Sequence, residues 1–151
     1  MPYKKTGTFF LCLTLLLAIG CNNAFFERGT QITIVNNELP PEFKLQGSGN
    51  ALTLFFYGPY VAISIEEIAA KLKDPPIWSI SPKPGTSISM LPLIKYGDVP
   101  QSFTQSTPIA ATPPPLQEGL CYRIIVPTNG AHEGSLSFCI QDRKAVVVND
   151  P

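Results

Sequence analysis

His132 is the single histidine of the 151-residue chain, and it stands in His132-Glu133-Gly134-Ser135. Here alone a base, a carboxylate and a hydroxyl lie together, the groups a serine hydrolase requires. Such chemistry needs the base within hydrogen-bond reach of the nucleophile, an acid that orients the base, and donors for the oxyanion. Contiguous residues on a hairpin loop do not converge in that way, and the chain has no Gly-x-Ser-x-Gly elbow. The stretch therefore reads as a solvated loop, with a small hydrolase using His132 kept as an alternative. Glu66-Glu67 are adjacent, so on a helix they point apart and read as charges favouring a helix N-terminus rather than as an acid–base pair. Asp74, Asp98, Asp142 and Asp150 lack the spacing of a calcium loop. With one histidine, the multi-histidine sites of zinc and iron enzymes are excluded. The sequence thus predicts no catalytic residue, no metal and no cofactor.

Recognition chemistry is better represented. Phe55, Phe56 and Tyr57 are consecutive, so a strand sends Phe56 to the face opposite its neighbours. Phe56, Tyr60 beside Pro59, and Tyr96 before Gly97 form the candidate binding surface, whose occupant would be an apolar ligand or glycan. The competing expectation is packing of these rings beneath long loops.

The 11 Lys and Arg balance 11 Asp and Glu, only 15% of residues are charged, and 44% are hydrophobic. This excludes the basic footprint of a nucleic-acid binder and the composition of a charge-rich disordered chain. The length fits one domain.

Lys4 and Lys5 precede an apolar run from Phe9 to Ile19 that stops at Gly20-Cys21. A basic n-region followed by an apolar h-region is an export signal, and the run is shorter than the ~20 apolar residues that span a bilayer. Leu17-Ala18-Ile19-Gly20-Cys21 resembles the lipobox of bacterial lipoproteins. That resemblance implies removal of residues 1–20, a diacylglyceryl group on the Cys21 thiol and acylation of the new amino terminus. Asn22, rather than Asp, follows the cysteine, which by the same resemblance favours the outer membrane of a two-membrane envelope. Loss of Lys4 and Lys5 leaves 9 basic against 11 acidic residues, a mildly acidic mature chain. Residues 21–29 would be the lipidated cysteine and a short tether reaching only ~30 Å, which holds the domain of residues 30–151 close to the lipid.

Of the four cysteines, Cys12 goes with the signal and Cys21 with the lipid, leaving Cys121 and Cys139. In an oxidising compartment their disulfide is the expected state, with one possible connectivity. It closes a loop of about 19 residues, for which loop entropy gives about 3 kcal/mol. No Cys-x-x-Cys redox motif is present.

The elements that position these groups read as short strands: Thr30 to Val35, Phe43 to Gln46, Ala51 to Tyr57, Val61 to Ile65, Ile77 to Ser81, Ser87 to Leu91, Leu93 to Tyr96, Leu120 to Val126, Ser135 to Gln141 and Lys144 to Val148. Glu66 to Lys73 has helical spacing, with Ile68, Ala69 and Leu72 on one face and Asp74-Pro75-Pro76 as terminator. Residues 97–117 carry so many prolines that no strand or helix is expected there. They read as a partly polyproline-II crossover anchored by Phe103 and Ile109, with docking to an aromatic-lined domain as the functional alternative.

Leu116-Gln117-Glu118-Gly119-Leu120-Cys121-Tyr122 resembles the tyrosine corner of immunoglobulin-like and fibronectin type III domains, in the places of Leu116, Gly119 and Tyr122. Trp78 on an earlier strand suits the same pattern, whereas a local Cys121–Cys139 bridge departs from the inter-sheet bridge of antibody domains. Residues Tyr96-Gly97-Asp98-Val99-Pro100-Gln101-Ser102-Phe103-Thr104-Gln105, with Pro113-Pro114-Pro115-Leu116, are similar to small bacterial lipoproteins of unassigned function. The expectation is an all-β protein: a single immunoglobulin-like or fibronectin type III-like β-sandwich with one short helix and a Pro-rich crossover. It would be a non-catalytic module anchored in the cell envelope through Cys21, partnered by the membrane and an envelope protein and not by nucleic acid.

Overall fold

The computed structural model describes residues 30–46, 53–61, 64–86, 93–127 and 133–149. The expected signal, Cys21, the strand over Ser87 to Leu91 and His132 lie outside them. Among the described residues the chain is an all-β sandwich with one short helix.

The first sheet is built from β1 (Gln31–Asn36), β2 (Glu42–Gln46) and β5 (Ile94–Lys95), in the order β1-β2-β5. Alternation drives it: Ile32 faces Leu45 and Ile34 faces Phe43 across the antiparallel pair, while Thr33 and Lys44 point to solvent. The second sheet contains β3 (Leu54–Tyr60), β4 (Trp78–Pro82), β6 (Phe103–Thr107), β7 (Cys121–Val126), β8 (Gly134–Gln141) and β9 (Lys144–Val148), in the order β6-β4-β3-β7-β8-β9. All its neighbours are antiparallel. β3 and β7 thus lie at the centre of the larger sheet, and β1 to β2 and β8 to β9 are neighbours both in sequence and in space.

Between the sheets lies a chain of aromatic contacts. Phe43 on β2 meets Phe56 and Phe138, each at 5.5 Å between ring centroids, and Phe56 in turn meets Trp78 at 4.9 Å and Tyr96 at 5.2 Å. Tilted and edge-on geometries at these separations add to the burial energy of the rings. Trp78 lies on β4, directly opposite Phe56 on β3.

Four expectations are corrected. Ile65 opens a helix instead of closing a strand: α1 (Ile65–Lys71) begins after Ser64, whose side chain accepts from the Glu67 N–H at 3.1 Å. The cap satisfies an otherwise orphaned helix N–H, which outweighs the β-branched run before it. The helix does not bury the expected face, since Ala69 is exposed and Leu72 is 39% exposed; Ile68 makes the contact with the domain. A strand does form within residues 97–117, because Pro100 and Pro108 leave 101–107 free of proline. As an edge strand, β6 needs only the one partner, β4. Ile109 is no anchor at 84% exposure, whereas Phe103 is buried as expected.

Candidate functional site

The sequence-derived candidates divide by where the backbone carries them. Phe56 and Tyr60 are fully buried and form no surface, and Tyr96, 6% exposed, reaches one only as part of the wall of a hollow. Phe56 is buried by strand alternation, as part of the aromatic core. Tyr60 is buried for a subtler reason. Tyr57 pairs with Arg123 but Tyr60 pairs with Cys121, so three residues of β3 oppose two of β7. This bulge moves Tyr60 to the outer face of the sheet, where it packs with Cys121, Cys139 and Ile68 beneath α1. Gly58, at φ +136°, makes the bulge possible: a Cβ there would stand 2.7 Å from Tyr122 Cδ1 and 3.0 Å from the Cys121 carbonyl oxygen.

Cys121 and Cys139 face each other across β7 and β8, with Cα atoms 3.9 Å apart, and they form the disulfide. At the corner before β7, the Gln117 N–H donates to Tyr122 Oη at 2.8 Å, Gly119 adopts φ +76°, and Leu116 packs against the core. Burial pushes the Tyr122 phenol up, and the Gln117 hydrogen bond pulls it partly back.

Several carboxylates serve structure. A Glu67 oxygen accepts from the Val61 N–H at 2.8 Å. Asp74 pairs with Lys71 at 3.5 Å. Glu118 accepts from the Asp142 and Arg143 N–H groups at 2.7 and 3.0 Å, closing the β8–β9 turn, where both residues have positive φ. Ser135 accepts from an Arg123 guanidinium N–H at 3.1 Å, so its hydroxyl is engaged by a cation. Glu133 stands near enough to Tyr57 to add to the upward push that burial gives that phenol. Among the described residues no group of three His, Cys, Asp or Glu side chains could hold a metal ion.

The feature with the shape of a site is one the candidate residues only touch. Residues 108–117, the crossover from edge strand β6 to interior strand β7, run as a strap between two hollows. One, of about 650 Å³, is walled by Leu39 and Pro40 from the β1–β2 turn, by Tyr96, and by Pro113, Pro115 and Leu116, with Lys95 and Asp98 at its rim. The other, of about 710 Å³, shares Gly97, Thr112 and Pro113 with the first and continues against Lys83, Val99, Phe103, Ala110 and Ala111.

Side chains hold the strap by its main chain. Tyr96 Oη donates to the Pro114 carbonyl at 2.8 Å, and burial, with Tyr122 adding to it, drives that phenol far above the usual tyrosine value, keeping its proton in place. Gln105 is a two-sided clamp: its Oε1 accepts from Trp78 Nε1–H at 2.9 Å, and its Nε2 donates to the carbonyls of Pro108 and Ala111. The tri-proline marked the strap in the sequence. Nothing there marked Gln105, because its role depends on two partners on either side of it in space.

Comparison of the chain with protein-family models, with curated proteins and with solved structures found no match. The strand order assigns a sandwich class, and fold class alone assigns no activity.

Proposed function

We propose that this protein is an exported lipoprotein whose β-sandwich is a non-catalytic interaction or structural module held at the cell envelope by a lipid on Cys21. The observation that carries the reading is the Cys121–Cys139 disulfide in a chain that opens with a basic, apolar, cysteine-terminated leader. Structural disulfides persist in oxidising compartments, which an exported chain reaches and a cytosolic chain does not. The short tether from Cys21 to Thr30 keeps the sandwich within ~30 Å of the lipid. The outer membrane is the proposed destination. A strap clamped by its main chain and apolar on its outward faces supports binding.

Intact-mass analysis of the membrane fraction tests this. The native protein should start at Cys21, carry a diacylglyceryl group and an acyl chain, and lack two hydrogens that reduction restores. Cys21→Ser should leave the membrane fraction. A soluble, unlipidated native chain would remove the anchor and with it the proposal.

A further inference from the structure

Residues 112–117 alternate in burial with a period of three. Pro113 is buried and Leu116 half-buried, while Thr112, Pro114, Pro115 and Gln117 are exposed. Proline fixes φ near −65°, and a residue before proline is pushed into the extended region. Thr112-Pro113-Pro114-Pro115, with trans prolyl bonds, is therefore a polyproline-II turn, whose three-residue repeat is the one the burial follows. One of its three faces packs on the domain. Two face outward.

We propose that this outward ridge is the docking surface of the module, and that its partner is a protein with a groove lined by aromatic rings. The proposal rests on reading the sandwich as an interaction module and names the chemistry of its partner. Three properties argue for that occupant. Residues 113–115 have no N–H, so the ridge offers flat apolar rings and carbonyl acceptors; tryptophan and tyrosine supply the matching ring faces and N–H or O–H donors. The ridge is already ordered by Tyr96 and by the Gln105 clamp just before it, so docking loses little chain entropy. Beside it, the 650 Å³ hollow between Pro40 and Pro115 has room for a partner side chain. Lys95 and Asp98 at the rim oppose each other in charge, so the surface does not select an anionic lipid headgroup. Ile109, 84% exposed on the same strap, extends the apolar surface.

Photo-crosslinking of the full chain in its own cells tests the ridge. A benzophenone amino acid replaces residue 109, 114 or 115, and exposed positions 33 and 61 serve as controls. The ridge positions should crosslink to one protein through peptides containing Trp or Tyr, and the controls should not. With the crosslinker at 109, Pro114→Ala/Pro115→Ala should cut the yield about tenfold, the effect of losing one good contact. Pro115→Glu, which leaves Pro114 in place, should do the same, and unchanged Trp78 emission certifies the fold of each variant. Adducts to lipid, or to peptides without aromatic residues, overturn the proposal. Crosslinks from positions 33 and 61 alone overturn the ridge but leave an interaction module standing. No crosslink from any position, on a chain whose lipidation is intact, removes the ridge and the interaction reading together and leaves a structural module.

Discussion

Gln105→Leu should loosen the whole strap, because one side chain ties three groups together. The indole N–H of Trp78 is fully buried and has Gln105 Oε1 as its acceptor at 2.9 Å. Leucine fills the volume but accepts nothing, and an unsatisfied buried donor costs about 1–3 kcal/mol. The carbonyls of Pro108 and Ala111 lose their donor too, but water reaches the strap and replaces it at ~0.5 kcal/mol each. The expected loss is about 3 kcal/mol, or about 10 °C in Tm for a domain of this size. The assay is urea unfolding followed by Trp78, the single tryptophan, whose emission reports both the indole hydrogen bond and global unfolding. Gln105→Glu separates the two halves of the clamp. Its carboxylate can still accept from Trp78 but faces two carbonyl oxygens, so the neutral acid is favoured in the fold and its pKa rises above about 4.3. Stability is then full below that value and falls as pH rises through the higher folded value. A loss under ~1 kcal/mol for Gln105→Leu, with native Trp78 emission, would refute the clamp.

Other outcomes follow from the same contacts. Gly58→Ala adds a Cβ 2.7 Å from the Tyr122 ring at φ +136°, and the clash and strain together should cost about 3 kcal/mol in urea unfolding. Removing the disulfide as Cys121→Ala/Cys139→Ala should cost about 3 kcal/mol for a hairpin-sized loop, read as a lower urea midpoint that reductant no longer shifts. Tyr57, Tyr96 and Tyr122 all have phenols pushed up by burial, so the fold favours their neutral forms. That stability is present below pH 10.0, the ordinary tyrosine value, and is lost above it. Phenolate absorbance should therefore lag the normal curve until alkaline unfolding releases it.

Much of the fold was legible because it depends on local pattern. The hairpin β8–β9 and the strand before it follow from alternating apolar residues interrupted by turn residues. The disulfide follows from the two cysteines left to an exported chain, which β7 and β8 set opposite each other. What escaped depends on register or on spatial partners. A one-residue bulge at Gly58-Pro59 decides which face Tyr60 takes, and periodicity read across it gives the wrong side. Ser64 turns Ile65 into a helix start through a single hydrogen bond that a strand pattern does not reveal. β6 was hidden by averaging over a proline-rich window, although 101–107 contain no proline. The aromatics chosen for recognition, Phe56, Tyr60 and Tyr96, are large enough to be wanted by the core, and burial is their commoner fate.

The bonds that hold the strap end on main-chain atoms: Tyr96 on the Pro114 carbonyl, Gln105 on those of Pro108 and Ala111, and Tyr122 on the Gln117 N–H. A bond to the backbone is indifferent to the side chain the residue carries outward. Stability and surface chemistry are thereby separated along this segment. The core dictates where the strap lies, while residues 109, 114 and 115 are free to suit whatever meets them. Ile109→Ser should accordingly leave the urea midpoint within about 0.5 kcal/mol of native, since the side chain is 84% exposed. The same substitution should still weaken any contact made across the ridge. A large stability loss at Ile109 would show that the outward faces are tied to the core after all, and the separation of anchoring from display would fail with it.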